Sequence, residues 1–319
     1  MLVRFFTRGA WALNVLVLAA GLAAACQRPI RSTLPTRPTP AQMVELWTEP
    51  DPRRDLFWGV GGRRLAPDAS ATYTVVEIKR GGFSRGYDVE GPDGRKWSVK
   101  FPPEAATEVV ASRILWAVGY HQPPIYYLPR WNAADAPLPN PQEGARFRES
   151  RPDLRGLDDT DQWSYYENPF VGTVQLKGLL VLQVMLGNSD LKDENNRIYE
   201  LSRPFERARR WYVARDLGHT FGRTGVLDAP RGDIEVFEKT PFIKGVENGY
   251  VRFDWRGRHD ALVESLTAAD VRWVCLRLQR ITAEQWRAAF RAGGFPDPIA
   301  ARFIRRMQQK IREGLALEG

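Results

Sequence analysis

Residues 169–187, PFVGTVQLKGLLVLQVMLG, are apolar on nearly every side of a helical projection. A helix of that kind has no solvent face, so the rest of its domain must surround it. The stretch is short for a membrane span and carries Lys177 along with Gly172 and Gly178. It therefore calls for a large core, and the chain can supply one: 43% of its 319 residues are hydrophobic and eleven are tryptophan, which argues against disorder.

The chain ahead of this helix alternates rather than runs apolar. ATYTVVEIK reads as a strand, and GYDVEGPDGRKWSVKF as two strands joined by a Gly-Pro-Asp-Gly turn. EAATEVVASRILWAVGY follows with helical spacing, Val109, Ile114, Leu115 and Val118 forming its apolar face, and PPIYYLPRW is extended. Beyond the buried helix, RIYEL and RWYVAR read as short strands separated by a charged insert. Thr267 and Thr282 each open a helix with a capping-box pattern, and PIAARFIRRMQQKIREGLAL is a basic amphipathic helix. The reading is α+β: a β-rich first lobe over 51–130, a proline-rich hinge or insertion over 131–161, and a mainly helical second lobe over 162–319.

At the N-terminus, Arg4 and Arg8 precede an apolar stretch from about Ala10 and small residues ending at Cys26. That is the pattern of an export signal over residues 1–25. Leu22-Ala23-Ala24-Ala25 before Cys26 resembles a bacterial lipobox, with alanine where leucine is commoner three positions before the cysteine. A lipobox implies that Cys26 is lipidated and holds the chain on a membrane outside the cytoplasm. Cleavage after Ala25 without lipid and an uncleaved anchor are the alternatives. Residues 26–50 then read as a proline-rich tether. Cys275, the other cysteine, falls on a helical apolar face and reads as a buried structural thiol. Three scattered histidines give no zinc pattern. The net charge of +8 is spread along the chain without a lysine/arginine block or an RNA-binding aromatic motif, so nucleic acid is not an expected partner. An anionic ligand, an acidic partner or a membrane surface fits the charge equally well.

Four stretches carry candidate chemistry. KRGGFSRGYDV puts Gly81, Gly82, Ser84 and Gly86 in a turn between strands, where glycine lets backbone N–H groups approach phosphate. WSVKF places Ser98 and Lys100 on one strand face, opposite Trp97, Val99 and Phe101, and a lysine there can grip phosphates as a point charge. Glu108 on the next helix is spaced to pair with Lys100, with Glu104 one turn earlier as its competitor. GNSDLKDENN and VARDLG then offer Asp190, Lys192, Asn195 and Asp216. A carboxylate and an amide suffice for magnesium when substrate phosphates complete its shell, and a separate carboxylate can take up the proton of an attacking hydroxyl.

In that order, these stretches resemble the β3 lysine, αC glutamate, catalytic loop and metal-binding turn of the protein-kinase-like superfamily. The resemblance covers roughly residues 73–220. It implies a bilobal kinase-like fold, with Asp190 as catalytic base, Lys192 as the loop lysine, and Asn195 and Asp216 as metal ligands. Lys100, Glu108, Gly82, Ser84 and Gly86 would serve the cofactor, which would be ATP or another nucleotide with Mg2+ (or Mn2+). The acceptor, whether protein, lipid or small molecule, stays open. Asn188-Ser189 replaces the usual His-Arg before the catalytic aspartate, so switching through a phosphorylated loop is not implied. Leu217 replaces the usual phenylalanine, no Ala-Pro-Glu follows, and Asp216 lies further along the chain than in typical eukaryotic kinases. These departures are similar to atypical bacterial kinases of the HipA-type and lipid-kinase-like branches.

Two rivals compete. A kinase-like module without catalysis, binding a nucleotide or another protein, would suit a compartment poor in ATP. Gly82-Phe83-Ser84-Arg85-Gly86 also matches the Gly-x-Ser-x-Gly elbow of serine hydrolases, but that elbow needs a helix after the serine and the sequel here reads as strand.

Overall fold

Alternation fixes how the first half of the chain packs. In the computed structural model, which describes residues 37–150, 154–156, 162–225 and 229–318, the early elements are a short helix α1 (Pro40–Met43), β1 (Thr72–Lys79), β2 (Gly86–Glu90), β3 (Lys96–Lys100) and α2 (Ala105–Ala117). They are followed by β4 (Ile125–Leu128), β5 (Asn132–Ala134) and β6 (Ala145–Glu149). One six-stranded sheet results, in the order β4-β6-β3-β2-β1-β5. Tyr87, Val89, Trp97, Val99 and Phe147 point to one face and are buried in an aromatic cluster around Trp131. Residues of the opposite register, among them Lys79, Ser98, Lys100, Arg146 and Arg148, point to the other.

Two boundaries differ from the sequence reading. The segment 131–161, expected to be a hinge or insertion, contributes β5 and β6, and β6 lies inside the sheet between β3 and β4. Its prolines flank these strands instead of interrupting them, and the alternation of Ala145, Phe147 and Glu149 with Arg146 and Arg148 is that of a paired strand. The proposed tether also ends early. Leu46 is fully buried, Trp47 packs on Trp273 with centroids 5.4 Å apart, and its indole N–H donates to the Val118 carbonyl at 2.7 Å. The signal and Cys26 readings fall outside the described residues. Among the described residues, no helix is long and apolar enough to cross a membrane.

The second half is mainly helical, as expected. It comprises β7 (Leu154–Gly156), α3 (Val174–Leu186), β8 (Asn196–Phe205), β9 (Ala208–Ala214), α4 (Ile234–Lys239), β10 (Ile243–Glu247) and β11 (Tyr250–Phe253). The helices α5 (Asp260–Glu264), α6 (Ala268–Leu278), α7 (Ala283–Ala292) and α8 (Asp297–Leu315) follow. The apolar helix α3 is enclosed on nearly all sides, begins at a Thr173 cap and stops at Gly187 in the left-handed conformation. Lys310 of α8 donates to the Met185 carbonyl at its C-terminal end at 2.8 Å, although burial pushes its ammonium well below the ordinary lysine value. Both expected capping boxes form, Thr267 with Asp270 and Thr282 with Gln285. The charged insert turns out to be a hairpin, because β8 runs through it and turns at Glu206 and Arg207, both at positive φ. Cys275 is buried, and burial pushes its thiol up to about 12.

Candidate active site

The site forms where the polar face of the sheet meets the loops that follow α3 and β9. Lys100, at the end of β3, reaches toward α2. Its ammonium lies 3.0 Å from the Glu108 carboxylate, 3.5 Å from Glu104 and 2.5 Å from Asp216. Glu108 is thus the nearer glutamate, although both contribute. Burial alone would push Lys100 down, but Glu108 and Asp216 outweigh it and hold the ammonium above its ordinary value. Glu108 behaves oppositely: burial would raise it, but Arg146 and Lys100 keep it well below the usual carboxylate range. The Glu108 side chain is only 5% exposed and that of Asp216 is 41%, so Asp216 is the acid that an incoming ligand can reach.

The loop after α3 is held by its own polar groups. Asn188 accepts from the Asp190 backbone N–H at 3.0 Å and donates to Gln183 at 3.0 Å, while Trp255 donates to its carbonyl at 2.9 Å. Ser189 donates to the Gly225 carbonyl at 2.9 Å and sits 3.2 Å from His219 Nε2. Arg231 lies 3.2 Å from His219 Nδ1. A single hydrogen assignment satisfies all four groups: Arg231 donates to Nδ1, Nε2–H donates to Ser189, and Ser189 donates to Gly225. Burial and Arg231 hold His219 down at about 4, which fits this neutral form. Asn188 and Ser189 are therefore buried loop-holding residues.

Asp190 accepts from Asn195 Nδ2 at 3.1 Å and pairs with Lys192 at 2.8 Å, so the three motif residues are in mutual contact. Asn195 and Asp216 both line the cavity that Lys100 faces, together with the glycine turn 81–86. Asp216 itself takes a positive φ of 54°, a conformation sparsely populated by residues other than glycine. The next turn packs tightly on α2: Thr107 donates to the Gly218 carbonyl at 2.7 Å, and a Cβ at Gly218 would fall 2.5 Å from the Glu104 side chain. Among the described residues no group of three acids or histidines forms a ready-made metal cage. One carboxylate and one amide on a shared cavity nevertheless suit magnesium, which keeps most of its shell for water and substrate oxygens.

The glycine turn connects two strands, so no nucleophile elbow exists. Ser84 donates to the Glu104 carboxylate at 3.0 Å. Gly82 takes φ 96°, which the turn needs. Sequence reasoning missed four arginines. Arg146 lies 3.3 Å and Arg148 4.0 Å from Glu108, and Arg215 precedes Asp216 and donates to the Tyr199 hydroxyl at 2.8 Å. Arg231 pairs with Glu104 at 3.1 Å and covers the Phe83 ring at 3.6 Å, tying the glycine turn to α2 and to His219. The alternation in ALA-ARG-PHE-ARG-GLU, residues 145–149, was the signal for the first two; nothing local marks Arg231.

No family model matches the chain, and no curated protein is similar to it in sequence. Among solved structures, the Helicobacter pylori proinflammatory kinase CtkA is similar over 77% of this chain and 92% of its own, with a TM-score of 0.44 at 12% identity. A Golgi casein kinase is similar over 78% of this chain and 73% of its own, with a TM-score of 0.41 at 11% identity. Likeness at that level does not bear on chemistry, which is set by the side chains of the cleft.

Proposed function

We propose that this chain is a metal-dependent phosphotransferase of the protein-kinase-like kind. It moves a phosphoryl group from a phosphoanhydride donor to an acceptor hydroxyl on a protein, lipid or small molecule. The observation that carries this reading is Lys100, held 3.0 Å from Glu108 and 2.5 Å from Asp216 on a cavity that Asn195 also lines. ATP is the donor that the sequence resemblance implies.

In this reading Lys100 grips the donor's phosphate oxygens, and Glu108 fixes the direction of Lys100. Gly82, Ser84 and Gly86 cover the phosphates from above. Asp216 and Asn195 would hold Mg2+, which would supply charge neutralisation at the phosphate oxygens. Asp190 orients the acceptor hydroxyl and takes its proton, while Lys192 and Asn195 hold the Asp190 carboxylate in place. An export signal and lipidated Cys26 would set this chemistry on a membrane surface outside the cytoplasm.

The test is the melting temperature of the purified full chain with ATP, with and without magnesium. A ligand that binds the native state raises it with the logarithm of ligand excess. A magnesium-dependent rise that disappears in Asp216→Asn is expected. Asp190→Asn should keep the rise and lose roughly 10²–10⁴-fold in transfer. Transfer by Asp190→Asn at the wild-type rate would refute the role of Asp190, and a rise without any transfer by the wild type would favour a non-catalytic binding module.

A further inference from the structure

The wall of the cleft beside Lys100 is built from charge. Because β6 is inserted beside β3, Arg146 stands opposite Lys100 and Arg148 opposite Ser98, all on the cavity face. Arg215 comes from the facing loop and lines the same cavity. Lys100, Arg146 and Arg148 converge on one carboxylate, Glu108, at 3.0, 3.3 and 4.0 Å. Burial, then repulsion from Arg215 and Arg146, pushes Arg148 down to about 9, so cations are crowded together here.

Apolar surface is correspondingly scarce. Among the described residues that line the cavity, the hydrophobic ones are Phe83 and Val99. The Phe83 ring is covered by the Arg231 guanidinium at 3.6 Å, and Val99 is 1% exposed, within the aromatic cluster of the sheet's other face. A purine needs a flat apolar or aromatic slot, as small-molecule sites ordinarily provide. Planar guanidinium groups instead match phosphate oxygens with paired hydrogen bonds.

We propose that the donor recognised by this cleft is a linear inorganic polyphosphate, with Lys100 at the transferred phosphate and Arg148 and Arg215 on the phosphates behind it. The inference rests on the phosphotransferase reading above and names its donor. In the transfer, the acceptor oxygen bonds to the terminal phosphorus as the bond from that phosphorus to the bridging oxygen breaks. The electron pair stays on that oxygen, the chain leaves one phosphate shorter, and the acceptor's proton passes to Asp190.

Titration calorimetry on the full chain, with magnesium and either tripolyphosphate, ATP or adenosine, tests this. Tripolyphosphate should bind at least as tightly as ATP, and adenosine should not bind. Arg148→Gln should weaken tripolyphosphate roughly tenfold or more, with Arg148→Lys recovering only part of the loss, since an ammonium restores the charge but not the paired hydrogen bonds. Arg215→Gln provides the same test should the Arg148 variants not fold. Arg302, a surface cation paired with Glu235 and Glu238, is the control, and Arg302→Gln should change nothing. ATP binding tenfold tighter than tripolyphosphate, with adenosine competing, would overturn the inference and leave the phosphotransferase reading standing. Equal losses in Arg302→Gln and Arg148→Gln would mean diffuse attraction to a basic surface and would also overturn it. Binding of neither donor would overturn both.

Discussion

The two faces of the six-stranded sheet come from the same strands and obey different rules. On one face Tyr73, Tyr87, Trp97, Trp131 and Phe147 pack ring against ring, with Trp131 and Phe147 5.1 Å apart. On the other, Lys100, Arg146 and Arg148 crowd around Glu108. The first face is held by area removed from water, which tolerates exchange among residues of similar size. The second is held by charges that must balance one another, since a buried charge without its partner is costly. A sheet of this kind separates stability from chemistry by a period of two residues.

Breaking the aromatic face should have the largest effect on stability. Phe147→Ala removes a fully buried ring and should cost about 3–5 kcal/mol, read by denaturant unfolding. A loss under 1 kcal/mol would mean that this face is not a packed core. Glu108→Ala should cost about 3 kcal/mol, the low end for a broken buried pair, because Lys100 and Arg148 keep some solvent access. If that variant were as stable as the wild type, the charged face would contribute to ligand binding alone.

Acid sharpens the contrast between buried charge and buried neutral polarity. His121 stacks on Trp211 with centroids 5.0 Å apart, and burial holds it down at about 4 from 6.5. The unfolded chain takes up a proton below about 6.5 and the folded chain only near 4. Stability is therefore fully present above 6.5 and is lost as the pH falls toward 4. From pH 7 to pH 5 His121 should lose roughly 2 kcal/mol and His219, also held at about 4, a similar amount, so His121→Asn should remove about half of the slope of melting temperature against pH over that range. An unchanged slope would assign acid sensitivity elsewhere. Glu108 adds nothing in that window, since its contribution is lost only below its ordinary 4.5. The smallest effect belongs to the rim of the charged face: Asp88→Asn removes the exposed pair with Lys79, 2.6 Å apart, and should shift stability by about 0–1 kcal/mol.

Much of this was legible in the chain. Alternation in WSVKF assigned Lys100 and Phe101 to opposite faces, and the all-round apolar character of 174–186 required a surrounding helical half. The spacing of Asp190, Lys192 and Asn195 was readable because those contacts span at most five residues. The segment 131–161 was misread because proline content is a local signal, whereas membership of a sheet is decided by a partner strand. Nothing in the sequence around Arg231 announces that it meets Glu104, 127 positions earlier.

The sequence by itself determined the early strands, the helices α2, α3, α6, α7 and α8 and the short polar loop, since these follow from side-chain periodicity and from hydrogen bonds between near neighbours. Only the tertiary structure decided that β6 enters the sheet beside β3, bringing Arg146 and Arg148 next to Lys100. The physical reason is that pairing between distant strands is selected by the burial of whole faces, and the charges on the opposite face are carried together by that selection.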